Sequence, residues 1–153
     1  MEAFVRVLFD ECISKPLAKD LAAFLARDFP DVEICHVLDT FKPGTHDARW
    51  LDWLTRNAKD SRVMPLVITA DRGKKSKLKK DKLPLICEGL GTPYIALTSG
   101  LLKSPSAVHR VILTSAWAQM VEIARRRPPE NHSLGMAQAK GGVMIPKLRR
   151  LNG

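Results

Sequence analysis

The chain alternates short, largely apolar runs with segments whose apolar residues recur at helical spacing. Four runs have the length and the apolar, β-branched or aromatic character of strands, at residues 3–9, 32–38, 63–71 and 93–98. They are largely apolar rather than apolar at every second position, which is typical of strands that are buried on both faces. The pattern therefore predicts a parallel sheet with helices on both sides.

The segments between these runs have the signals of helices. Ser14 stands where a helix N-cap belongs, Pro16 lies in the first turn, and Pro30 ends the segment. Further helices are predicted at about 47–58, at 84–90 and from Ser104-Pro105 to about Arg126. The alternation of strand and helix predicts an α/β fold in which a central, mostly parallel sheet is flanked by helices.

The predicted strands and long helices all lie within residues 1–128, which we expect to form one domain. Residues 129–153 have a weaker pattern. They are read either as a hairpin around Gly141-Gly142 or as a C-terminal tail, and we expect them to pack on the same domain.

The positive charge is concentrated in one segment. Residues 72–82 contain seven basic residues and one acid, and so carry +6 of the formal net charge of +9. A local basic segment is suited to contact with phosphates, although a solvated loop has the same composition. The candidate nucleic-acid contacts are Arg72, Lys74, Lys75, Lys77, Lys79 and Lys80.

The cysteines and the hydropathy indicate a cytoplasmic protein. Cys12, Cys35 and Cys87 are odd in number, far apart and without a CxxC pair, which favours reduced thiols. The apolar run from Phe4 to Phe9 is too short for a signal peptide, and no run approaches the length of a membrane span. We therefore expect no membrane partner.

Three acids are predicted to meet at one edge of the sheet. Asp10 follows the first strand and Asp71 ends the third, and right-handed crossovers bring the carboxyl ends of parallel strands to the same edge. Asp47 begins a predicted helix and lies in line with its apolar stripe, so its side chain is expected to point toward this edge. Each acid alone could equally cap a turn or a helix.

A cluster of carboxylates is tolerated when a cation is bound, because like charges at short range repel one another. Oxygen ligands of this kind favour Mg²⁺ or Mn²⁺. Asp10, Asp47 and Asp71 are therefore the candidate catalytic residues and metal ligands, and the basic segment beside Asp71 suggests a nucleic-acid substrate.

Three stretches resemble the PIN-like nucleases, in particular the VapC-type toxin ribonucleases. They are RVLFDE with the helix SKPLAKDL, the loop and helix GTHDARWLDWL, and VITADRG, in the order found in that group. The resemblance places the family's first, second and third acids on Asp10, Asp47 and Asp71. In many relatives another acid follows the third motif by two residues. Here that position is Gly73, so Glu11 or Glu88 is the candidate for a fourth acid.

The resemblance implies a PIN-like three-layer fold and a Mg²⁺- or Mn²⁺-dependent endoribonuclease. It also implies an RNA substrate, and many relatives are toxins that pair with an antitoxin protein or form homodimers. Two other hypotheses stay open. One is a catalytically weak or inactive PIN-like module that binds nucleic acid, and the other is a protein whose basic segment docks an acidic protein partner.

Overall fold

The structure, a computed structural model, describes residues 4–11, 13–43, 49–54, 63–70 and 83–151. Its strands are β1 (Phe4–Phe9), β2 (Val32–His36), β3 (Val63–Thr69), β4 (Tyr94–Leu97), β5 (His132–Gln138) and β6 (Met144–Arg150). Its helices are α1 (Lys15–Leu25), α2 (the helical residues 49–54), α3 (Leu83–Leu90), α4 (Ser99–Lys103) and α5 (Ser106–Arg125), and a short 3₁₀ turn spans Val37–Asp39.

The described strands form one sheet of six in the order β2-β1-β3-β4-β5-β6. Neighbouring strands are parallel from β2 to β5, and β6 runs antiparallel to β5. This confirms the α/β fold with a mostly parallel sheet between layers of helices.

Both faces of β1, β3 and β4 are covered by helices, which explains why these strands are mostly apolar. Val5, Val7 and Phe9 of β1 pack with α1 and α5 on one face. Leu8 of the same strand packs with α2 and α3 on the other. Successive side chains of a strand point to opposite faces, so a strand covered on both sides favours apolar residues at successive positions.

The long helix α5 anchors the first of these faces. Its side chains at Ile112, Ala116, Met120 and Ile123 are buried, as the helical spacing predicts. The Trp117 ring is fully buried and stacks on Phe9 with 6.4 Å between ring centroids. None of the described helices is both long and apolar enough to cross a bilayer.

Residues 132–150 complete the sheet. β5 pairs with β4, and β6 returns beside β5 after a turn in which Gly141 and Gly142 have φ of +90° and +84°. Such positive φ values are accessible to glycine at little steric cost, so these two residues allow the reversal.

Candidate functional site

Asp10 lies at the carboxyl end of β1 and is only 8% exposed. Its backbone continues the parallel pairing with β3, because its N–H donates to Ile68 O at 3.2 Å. Its own carbonyl then accepts from Ile13 N at 3.2 Å and closes the turn that leads to α1. The sheet and this turn thus fix the backbone on both sides of the acid.

Thr69, the last residue of β3, holds the Asp10 side chain. The Thr69 hydroxyl is fully buried and donates to Asp10 Oδ2. A hydroxyl bonded to a carboxylate is a strong, directional contact, so it selects one orientation of the acid. In the sequence, Thr69 lies two residues before Asp71 with no sign of a link to Asp10, and the contact becomes visible through the pairing of β1 with β3.

A buried histidine supports the same turn from the second strand. His36 Nε2 lies 2.6 Å from Ile13 O, and His36 Nδ1 accepts from Leu38 N at 3.1 Å. These two contacts assign the proton to Nε2 and tie the end of β2 to the turn after Asp10. No spacing in the sequence predicts this role, because His36 forms no motif with other residues.

Asp39, which also follows β2, has structural contacts. Its Oδ1 pairs with Lys15 Nζ at 3.0 Å and its Oδ2 accepts from His36 N at 3.1 Å. Burial alone would raise the pKa of this carboxyl, but the bonds from Lys15 and the His36 N–H outweigh it and lower that pKa. Asp39 therefore caps the 3₁₀ turn and ties it to α1.

The two candidates for a fourth acid lie in different places. Glu11 directly follows Asp10 but is exposed, in a turn. Glu88 lies on α3 and lines a shallow groove with Thr92 and Asn131, the residues that precede β4 and β5. Because those residues mark the amino ends of the strands, Glu88 is at the opposite edge of the sheet from Asp10.

The other predicted site residues lie outside the described residues. They are Asp47, Asp71, Arg72, Lys74, Lys75, Lys77, Lys79 and Lys80. Within the described part of the chain, no group of three or more His, Cys, Asp or Glu residues could hold a metal ion. The described site is thus one buried carboxylate with its threonine partner, at the edge where parallel α/β sheets bind ligands.

The fold and the position of Asp10 define an α/β protein with a candidate site at the carboxyl ends of its strands. A family model described as a PIN-like domain matches residues 5–80, a range that includes Asp10 and the positions of Asp47 and Asp71. This match supports a PIN-like domain, and PIN-like domains are generally nucleases. No curated protein and no solved structure shows significant similarity to the chain.

Proposed function

We propose that the protein is a Mg²⁺- or Mn²⁺-dependent endoribonuclease that hydrolyses the phosphodiester bonds of RNA with an activated water. The observation that carries the proposal is the buried Asp10 carboxylate at the carboxyl edge of the sheet, held by Thr69. The PIN-like match over residues 5–80 adds that domains of this kind are generally nucleases.

The donor chemistry at Asp10 fits a hard divalent cation. Carboxylate oxygens are the ligands that Mg²⁺ and Mn²⁺ favour, and the bond from Thr69 orders the ligand before a metal binds. In this proposal Asp47 and Asp71 complete the set, with Glu11 as a further candidate. A metal held by these residues would lower the pKa of a coordinated water and would offset charge that develops on the phosphate.

The chain's own residues then have distinct roles. Asp10 is a ligand and Thr69 is a positioning residue, because it acts through the orientation of Asp10. Arg72 and the lysines at 74, 75, 77, 79 and 80 attract the phosphates of the substrate without reading its sequence. Substrate binding should therefore weaken steeply as salt is added.

The finer parts of the proposal rest on the resemblance to VapC-type ribonucleases. They are the role of a toxin, an antitoxin protein as partner and a homodimer. A cytoplasmic location is proposed instead from the cysteine pattern. If an antitoxin exists, it would have to be removed before activity is measured, because a bound inhibitor would hide it.

A second candidate is a PIN-like module that binds nucleic acid without cleaving it. Gly73 favours this alternative, because many VapC-type relatives have an acid at that position. A nuclease would lose cleavage activity when a metal-binding acid is replaced. A binding module would keep its RNA affinity after the same replacement and would show no cleavage at any metal concentration.

Cleavage of a labelled single-stranded RNA by protein refolded from denaturant tests the proposal, because denaturation strips off any antitoxin. We expect cleavage with Mn²⁺ or Mg²⁺, none in EDTA, and loss of activity in Asp71→Asn. Asp28→Asn, at an exposed acid in the turn that follows α1, provides a matched control with the same chemical change. RNA binding without cleavage by the wild type would favour the second candidate.

A further inference from the structure

One face of the sheet borders a groove of about 610 Å³. It lies on the α3 side, where it is lined by buried residues of β4 and β5 and by the exposed side chains of Lys147 and Arg149 on β6. Its floor consists of small side chains, Ala96, Ser133 and Gly135. A Cβ on Gly135 would lie 2.9 Å from Thr98 Cγ2, so this glycine allows the Thr98 side chain to approach the strand closely.

The wall of the groove on the β6 side is basic. Lys147 and Arg149 alternate along this strand and both side chains are exposed. Neither forms an ion pair with any residue that the structure describes. Arg150 lies at one end of the groove, with its guanidinium 3.9 Å from the Glu130 carboxylate. No acid is among the described lining residues. The positive charge of the groove therefore complements an anionic ligand.

The strand register connects this groove to the candidate site. Thr69 of β3 is paired with Ala96 of β4, Ala96 with Ser133 of β5, and Ser133 with Arg149 of β6. Directly paired residues point to the same face of a sheet. Three strand spacings of about 4.8 Å place the Arg149 backbone roughly 14 Å from that of Thr69, which holds Asp10.

We propose that this groove binds the sugar-phosphate backbone of single-stranded RNA and directs the strand along the sheet toward Asp10. The identity of the polymer rests on the proposed function. The volume falls within the range of about 300–1,000 Å³ that is typical of small-molecule sites, so it accommodates a few nucleotides but not a duplex. Tyr94, the aromatic residue in the lining, is only 7% exposed, so contacts to phosphates rather than base stacking dominate.

The basic residues of β6 have a second physical explanation, which the test must separate. β6 is an edge strand of the described sheet, and charges on an edge strand discourage pairing with other chains. Edge protection predicts a change in self-association when the charges are removed. RNA binding predicts a change in affinity and in its dependence on salt.

The test compares Lys147→Gln/Arg149→Gln with wild type by fluorescence anisotropy of a labelled single-stranded RNA in EDTA, where no metal-dependent cleavage interferes. We expect binding to weaken about tenfold or more at 0.1 M salt, because two phosphate contacts are lost. The slope of log affinity against log salt should fall by about 1.4, since each contact to a single strand contributes about 0.7.

The matched control is Lys19→Gln/Arg27→Gln, which removes two exposed charges from the region of α1 on the other face of the sheet. Equal RNA affinity in the two double variants would overturn the inference. The inference would also be overturned if the β6 variant lost as much affinity for duplex RNA as for single-stranded RNA. It would be overturned as well if the variant lost affinity only for polyglutamate, which stands for an acidic protein partner, or if its self-association changed without a change in RNA binding.

This design separates the inference from the proposed function. If the wild type cleaves no RNA but the β6 variant alone loses RNA affinity, the nuclease proposal fails and the groove stands. If the wild type cleaves RNA and both double variants bind it equally, the groove inference fails and the nuclease proposal stands.

Discussion

Thr69 makes a testable contribution to the candidate site through a single hydroxyl. Thr69→Val keeps the shape of the side chain but removes the donor to Asp10 Oδ2. We expect cleavage to fall about 10- to 100-fold, the usual effect of losing a partner that orients a metal ligand. The Mn²⁺ concentration needed for half-maximal rate should rise as well, because the ligand is no longer held in place.

Thr69→Ser is the control, because it restores the hydroxyl but leaves out the methyl group. A purely structural role for Thr69 would leave the Mn²⁺ requirement unchanged in Thr69→Val, even if that variant were less stable. Equal metal dependence in the valine and serine variants would therefore contradict the positioning role.

His132 predicts a dependence of stability on pH. The ring is 5% exposed and its Nδ1 has no hydrogen-bond partner among the described residues. Burial lowers the pKa of His132 below its ordinary 6.5, although Glu130, 3.9 Å from Nε2, opposes this shift. The unfolded chain therefore takes up a proton below about pH 6.5 before the folded chain does.

The contribution of His132 to the free energy of unfolding is fully present above about pH 6.5 and is lost as the pH falls toward the lower, folded pKa. Urea unfolding at pH 7.5 and at pH 5.5 measures the difference. We expect His132→Leu to lose less stability than wild type between these two conditions. An identical loss in both proteins would mean that His132 titrates normally in the folded state.

At the scale of the element, the start of α1 depends on one cap. The Leu17 N–H donates to the Ser14 hydroxyl at 3.2 Å. Ser14 directly follows Ile13, whose N–H closes the turn that begins at Asp10. Ser14→Ala should lower the free energy of unfolding by about 1 kcal/mol, as measured by urea unfolding. Ser106→Ala is the matched control, because α5 has no side-chain cap at its start. Equal losses in both variants would show that the cap contributes nothing.

The elements that carry local signals were predictable from the sequence. Ser14 and Pro16 mark the start of α1, and Gly91, with φ of +66°, follows the last turn of α3. The end of β2 was not predictable. The strand stops at His36 rather than at residue 38, because His36 and Asp39 cap each other in a 3₁₀ turn.

Two elements had weak signals. α4 has only five residues, capped by Thr98, and was missed because it is too short for helical spacing to stand out. β5 was predicted only as one arm of a possible hairpin, because Ser133 and Gly135 weaken its strand pattern, and it is held by pairing on both sides. Tertiary contacts rather than local preference determine such segments.

At the scale of the whole molecule, the alternation of strand and helix was enough to predict the parallel sheet and the edge where Asp10 lies. The open groove was not predictable, because it depends on the register that places Ser133 between Ala96 and Arg149. From the sequence, Lys147 and Arg149 were basic residues in a segment read as a hairpin or a tail. Only the long-range pairing of β3, β4, β5 and β6 shows that these two residues lie on the same face of the sheet as Thr69.

The most direct test of the central claim is the rate of RNA cleavage at increasing Mn²⁺ by wild type and by Asp10→Asn, measured beside their RNA affinity in EDTA. The asparagine side chain can still accept a hydrogen bond from the Thr69 hydroxyl, so we expect the fold and the RNA affinity to be kept. We predict that the rate falls at least about 100-fold, beyond the loss typical of an orienting partner. Cleavage by Asp10→Asn at the wild-type rate, with the same Mn²⁺ dependence, would contradict the account.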